Sequence, residues 1–194
     1  MKPNIKNPTN ELRSNSTIIL DTNIWLQRVD PSYTSLDYED PKNSTLAIIE
    51  DTITEILSKN ITIYVLPTII SEIVNVTERH NFRVWCKENG KSSAETDYKR
   101  EYRNNIDSTF LDDNKYIWQS IDEEILGIDS VQFVNFTDQT YLRECIEFCN
   151  AYPTSDFNDV LIVKAAKRLG ASVFSQDKDL EKLDIDITLY TVPE

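Results

Sequence analysis

The sequence predicts an α/β fold with a mostly parallel sheet, and three observations carry the prediction. Short runs rich in Ile, Val and Thr alternate along the chain with longer segments of helical periodicity. The first run, Thr17-Ile18-Ile19-Leu20, is apolar without alternation from Ile18 on, as suits a strand covered on both faces. At 194 residues the chain is long enough for a full core in a single domain, residues 1–194, and no repeat or low-complexity tract divides it.

Taken in order, Met1 to Asn15 is polar with scattered charge and lacks the apolar stretch of a signal peptide. After the first strand, Asp30 to Asn43 carries two prolines and several turn formers and reads as a loop. Ser44 is placed to cap a helix whose Leu46, Ile49, Ile53, Ile56 and Leu57 share a face, and which ends near Lys59-Asn60. Ile61 to Val65 is the second strand. Pro67 then sits where a first helical turn accepts proline, and Ile69, Ile73 and Val76 mark the inner face of the helix it opens.

From Asn89-Gly90 to Gly127 the pattern is helical but less amphipathic and is broken at Gly90-Lys91-Ser92-Ser93, which predicts an inserted helical hairpin. Val131 to Val134 is a third strand, Thr137 is expected to cap a helix through Phe148, and Pro153-Thr154-Ser155 to start another through Leu169, closed by Gly170. Ala171 to Ser175 is the fourth strand, followed by a short helix and a last strand at Ile187 to Tyr190.

Composition narrows the setting. Cys86, Cys145 and Cys149 form an odd set without CxxC or zinc-ribbon spacing, so free thiols in a reducing, cytoplasmic compartment are expected. No run approaches membrane-spanning length, and no membrane partner is expected. The net charge of −13 argues against a general nucleic-acid binder, but it is unevenly spread. Between Arg79 and Arg103, seven bases (Arg79, Arg83, Lys87, Lys91, Lys99, Arg100, Arg103) face four acids, a local +3, which leaves −16 on the remainder. With Trp85, Tyr98 and Tyr102 interleaved, this segment either contacts phosphates and stacks on unpaired bases or is a solvated helical face with aromatic stems beneath it.

Acidic residues recur at element ends. Asp21 follows the first strand, and Asp177 and Asp179 follow the fourth; each could be a helix cap or face a ligand at the carboxyl edge of the sheet. Glu72 shares a face with Ile69 and Val76, so it either lines a cleft or is a first-turn acid favoured by the helix dipole. Asp156 and Asp159 share a face with Val163 and Ala166, and Asp159 abuts the apolar Val160-Leu161-Ile162-Val163, where an uncompensated charge needs a partner. The topology directs all of these to one edge, where carboxylates repel unless cations neutralise them. Oxygen ligands in a chain whose only histidine is His80 suit Mg²⁺ or Mn²⁺. Two such ions roughly 3.5–4 Å apart stabilise both the attacking and leaving oxygens of a phosphodiester displacement.

Four blocks then resemble the PIN-domain nucleases, a family that includes bacterial toxins of the VapC type. They are Leu20-Asp21-Thr22-Asn23-Ile24-Trp25-Leu26, Ser71-Glu72-Ile73-Val74-Asn75-Val76, the stretch from Ser155-Asp156-Phe157-Asn158-Asp159 through Ala166, and Gly170-Ala171 with Ser175-Gln176-Asp177-Lys178-Asp179-Leu180. The blocks stand in family order from Thr17 to about Tyr190, with a core of about 16–191. The stretch of about 77–129 aligns with no motif and reads as a helical elaboration.

The resemblance implies a three-layer α/β/α sandwich around a five-stranded parallel sheet in order 3-2-1-4-5. It implies Asp21, Glu72, Asp159 and Asp177 as catalytic residues at a divalent-metal site, with Asp156 and Asp179 as less uniform members and Asn23 and Ser175 in support. The implied reaction is metal-dependent hydrolysis of an RNA phosphodiester without a covalent enzyme intermediate. The implied partners are RNA, a small antitoxin protein and a second copy of the chain; the candidates to hold the RNA, Arg79, Arg83, Lys87, Arg100 and Arg103, come from the local charge and not from the resemblance. Two alternatives stay open: a non-catalytic PIN-fold scaffold for RNA or protein, and a haloacid-dehalogenase-like phosphatase, which would need a second Asp where this chain has Asn23.

Overall fold

Six parallel strands form one sheet among the described residues: β1 (Asn4–Lys6), β2 (Thr17–Leu20), β3 (Thr62–Val65), β4 (Val131–Phe133), β5 (Ser172–Phe174) and β6 (Thr188–Tyr190). The computed structural model describes residues 2–8, 12–13, 16–30 and 44–192, the side chains at 44 and 45 excepted. The spatial order is β1-β6-β5-β2-β3-β4. Five of these strands reproduce the expected 3-2-1-4-5. The sixth, β1, corrects the five-stranded prediction by adding an edge, with Asn4 beside Thr188 and Lys6 beside Tyr190. Three residues with Ile5 half exposed carry no apolar pattern that could announce a strand.

β2 lies at the centre, pairing Ile18 with Ile63 on one side and with Ser172 on the other. Consecutive Ile18, Ile19 and Leu20 are all buried, so both faces of the sheet are covered there. From β2 the chain runs outward through β3 to β4 and then returns to the opposite side of β2 as β5. The strand order therefore reverses between β2 and β5, the crevice where such sheets bind ligands.

The helices are α1 (Thr22–Val29), α2 (Ser44–Ser58), α3 (Pro67–Glu88), α4 (Phe110–Ile121), α5 (Gln139–Ala151) and α6 (Phe157–Leu169). Two π-helical turns, Tyr98–Arg103 and Asp122–Leu126, and a 3₁₀ turn, Leu180–Lys182, complete the described elements. α3 packs against α1 and α4, α5 packs on α6, and α6 lies on β2 and β5. Pro67 opens α3 as expected, and Gly170 closes α6 with φ 63, a left-handed value that suits glycine. The loop expected over Asp30 to Asn43 lies, apart from Asp30, outside the described residues, as does the side chain of Ser44.

Two helix starts differ from expectation. Asp138, not Thr137, caps α5 by accepting from the Tyr141 N–H at 2.8 Å. Asp156 caps α6 by accepting from the Asn158 N–H at 2.7 Å, so the helix starts at Phe157 and not at Pro153. In both places the carboxylate is the stronger acceptor for free first-turn N–H groups.

The middle segment is the predicted hairpin, and its aromatics settle one question. Trp85 and Tyr102 are 6% and 0% exposed and pack with Phe82, Cys86 and Phe110 in a second core, with Tyr98 against it. They are packing residues of the hairpin, so of the two readings left open for this segment the one with aromatic stems beneath a solvated face holds for them. Arg28 of α1 donates from Nε and Nη2 to Glu124 Oε2, tying the second π turn to the sheet domain. Cys86, Cys145 and Cys149 are free thiols, and no helix among the described residues is long and apolar enough to cross a membrane.

Candidate acidic active site

Asp21 stands where β2 ends and α1 begins, and both readings of it hold at once. As the N-cap of α1, its Oδ1 accepts from the Thr22 N–H at 2.6 Å. It is also only 5% exposed, with Oδ2 accepting from Ser175 Oγ at 2.5 Å and from Asn23 Nδ2 at 3.0 Å. Ser175, at the end of β5, reaches across the switch point and in turn accepts from the Asp177 N–H at 2.9 Å. Asn23 completes the clasp, donating to Ser175 Oγ at 3.3 Å and accepting from the Gln176 N–H at 3.3 Å. Asn23 thus holds Asp21 from the position where a dehalogenase-like phosphatase would carry its second Asp.

Glu72 enters from the second turn of α3. Its Oε2 accepts from Thr22 Oγ1 at 2.9 Å and from Asn158 Nδ2 at 3.4 Å, so α1, α3 and α6 meet at this carboxylate. The contacts of Thr22 and Asn158 with Glu72 were not read from the sequence, although each residue lies inside an acidic block, beside Asp21 and between Asp156 and Asp159.

Electrostatics link the acids to one another. Burial pushes the Asp21 carboxyl up to about 6 against the pull of Ser175 and Thr22, and the charges of Glu72 and Asp177 add to the rise. Burial pushes Asp159 up to about 7, and there Asp21, Asp177, Asp156 and Glu72 all add to it. The five carboxylates therefore share one field. Asp179 stands apart: it is exposed, its carboxylate accepts from Lys182 Nζ at 2.5 Å, and its N–H donates to Asp177 Oδ1.

The donor set is oxygen-only, crowded and in excess of negative charge, which fits a hard divalent cation. Among the described residues no three His, Cys, Asp or Glu side chains already stand together as a ligand cluster. The oxygens nearest the centre are engaged instead by Ser175, Asn23, Thr22 and Asn158.

Of the basic residues described, only Arg79 lines the cavity of about 290 Å³ that also takes in Glu72, Asp156 and Asn158. Arg83 and Lys87 lie exposed further along α3. Arg100 lies 3.4 Å from Glu101 and the Arg103 guanidinium sits 5.9 Å over the Phe110 ring, and neither lines that cavity.

Comparison with known proteins agrees with this architecture. The family model described as PIN domain matches residues 18–186. VapBC2 from Rickettsia felis, solved bound to a DNA fragment from its promoter, is 12% identical, covers 90% of this chain and 98% of its own, and has a TM-score of 0.51. FitAcB from Neisseria gonorrhoeae is 13% identical over 90% of this chain and 96% of its own, with a TM-score of 0.47. No curated protein matches.

Proposed function

The chain belongs to the PIN-domain family, and from that premise we propose that it is a divalent-metal-dependent endoribonuclease whose catalytic carboxylates are Asp21, Glu72, Asp159 and Asp177. The observation that carries the reading is Asp21, a buried carboxylate fixed by three donors at the strand-order reversal while Glu72, Asp159 and Asp177 share its field. So much unneutralised charge is costly in a fold that needs it only for packing.

Mg²⁺ or Mn²⁺ bound there would supply Lewis-acid stabilisation of the phosphodiester oxygens. Asp21 and Asp159 are the residues to hold it, Asp177 to complete the donor set, and Asp156 to add charge at the rim. Asp179 is the weakest candidate, because Lys182 already neutralises it. Ser175 and Asn23 keep the Asp21 carboxylate in one orientation, and Thr22 and Asn158 do the same for Glu72, which is suited to orient a water molecule. Residues 1–194 act as one unit in this proposal, with 77–129 as an elaboration of the core at about 16–191. The setting is the cytoplasm; the partners are RNA, a small antitoxin protein as in toxins of the VapC type, and a second copy of the chain.

The test is cleavage of a mixed pool of single-stranded and structured RNA with Mg²⁺ or Mn²⁺. Wild type should cut, and Asp21→Asn or EDTA should abolish cutting. Cutting that survives both would remove the carboxylate site from the reaction.

A further inference from the structure

The cavity beside Glu72 differs in chemistry from the acids it adjoins. Ser71 and Asn75 line it from α3, Asn158 from α6, Val76 adds an apolar surface, and Arg79 adds a cation. Arg79 lies seven residues beyond Glu72, two helical turns or about 10 Å along the axis, on nearly the same face of α3. It makes no ion pair among the described residues, although the Glu72 and Asp156 carboxylates line the same cavity. Thr68 Oγ1, in the same lining, is buried without a hydrogen-bond partner.

We propose that this cavity is a nucleotide subsite that takes one unpaired ribonucleotide flanking the scissile bond, with Arg79 on its phosphate and Asn75 and Ser71 on its base or ribose; the proposal rests on the nuclease reading above. A guanidinium presents a planar set of donors matched to phosphate oxygens. An Asn amide offers a donor and an acceptor side by side, the pairing that a base edge requires. At about 290 Å³ the cavity lies just below the roughly 300–1,000 Å³ of small-molecule sites, the scale of a single nucleotide. Base edges are open to such reading only when the strand is unpaired.

The strand's path follows from α3. Arg83 and Lys87 are exposed four and eight residues beyond Arg79, a rise of about 6 Å for each step, so cations continue in line away from the acids. In a chain of net charge −13, this line gives phosphates an approach that runs over cations. The nucleotides on the α3 side of the cut are accordingly held along this line.

The test measures binding of a short fluorescent single-stranded RNA by anisotropy, in Asp21→Asn protein so that the probe stays intact, together with steady-state cleavage in the otherwise wild-type protein. Arg79→Ala should weaken binding roughly tenfold and raise KM with little change in kcat, while Arg79→Lys recovers part of the loss. Asn75→Ala should change the base found next to the cut when the ends of a cleaved random pool are sequenced. RNA that is bound and cut equally well by Arg79→Ala, with the same end preference in Asn75→Ala, would overturn the subsite and leave the nuclease standing. Arg79-dependent binding without any cutting would keep the cavity as a nucleotide site but overturn the nuclease reading, and with it the place of the site beside a scissile bond. A preference for duplex over single strand, or neither binding nor cutting, would overturn the subsite.

Discussion

Ser175 and Asp21, 154 residues apart in sequence, share a hydrogen bond of 2.5 Å that bridges the ends of β5 and β2. The acceptor is a buried carboxylate, so its loss costs more than that of a neutral pair. Ser175→Ala is expected to lower stability by about 1.5–3 kcal/mol in urea denaturation. It should also lower cleavage about 10- to 100-fold, as expected when a residue orienting a ligand is lost. A variant as stable and active as wild type would deny the bond any role.

The raised carboxyl groups make stability depend on pH. Asp21 titrates at about 6 in the folded chain against 3.8 ordinarily, and Asp159 at about 7, so between those limits the folded state holds more protons than the unfolded one. Their stabilising contribution is complete below 3.8 and is lost as pH rises through 6 and 7. For Asp21 the loss approaches 3 kcal/mol, on the order of two pK units. In metal-free buffer, Tm should therefore fall from pH 4 to pH 7 more steeply in wild type than in Asp21→Asn. Mg²⁺ or Mn²⁺ should raise Tm at pH 7 and leave it unchanged at pH 4. Parallel profiles for the two proteins would contradict the assignment.

Asp159→Asn separates a nuclease from a scaffold. It removes one charge from the shared field and keeps the shape of the side chain. Cleavage should fall about 100-fold or more, the scale of several kcal/mol of lost charge stabilisation, while RNA binding measured by anisotropy is retained. Unchanged cleavage would exclude Asp159 from the chemistry.

Gly127 is fixed by its neighbours. Its N–H donates to the Asp122 carbonyl at 2.8 Å at the end of the second π turn, and an added Cβ would stand 2.7 Å from the Glu123 carbonyl oxygen. Gly127→Ala must open that turn, at a cost of about 1–3 kcal/mol. Since Glu124 in the same turn holds Arg28, the cost should be less than additive with Arg28→Ala in a double-mutant cycle.

What the sequence made legible was whatever has a strong local signature. Ile18 to Leu20 announced a buried strand, Pro67 the start of α3, and the acids after β2 and β5 announced an edge where carboxylates gather. The contacts of Thr22 and Asn158 with Glu72 could not be read, because they depend on how α1, α3 and α6 converge across 50 and 86 residues of chain. β1 was invisible because an edge strand gains its order from β6 and not from its own three residues. Trp85 and Tyr102 stayed ambiguous for the opposite reason: aromatics among bases fit a nucleic-acid surface and a packed helical face equally well until the hairpin folds over them.

α3 gives Ile69 and Ile73 to the main core and Phe82, Trp85 and Cys86 to the second, along one uninterrupted rod of 22 residues, about 33 Å. One helix therefore spans both cores, and a shift in the hairpin would be carried along it to the turn that holds Glu72. Slow amide exchange should accordingly extend from the sheet along α3 into the hairpin as one cooperative unit, and a partner that grips the hairpin would act on the carboxylates from a distance.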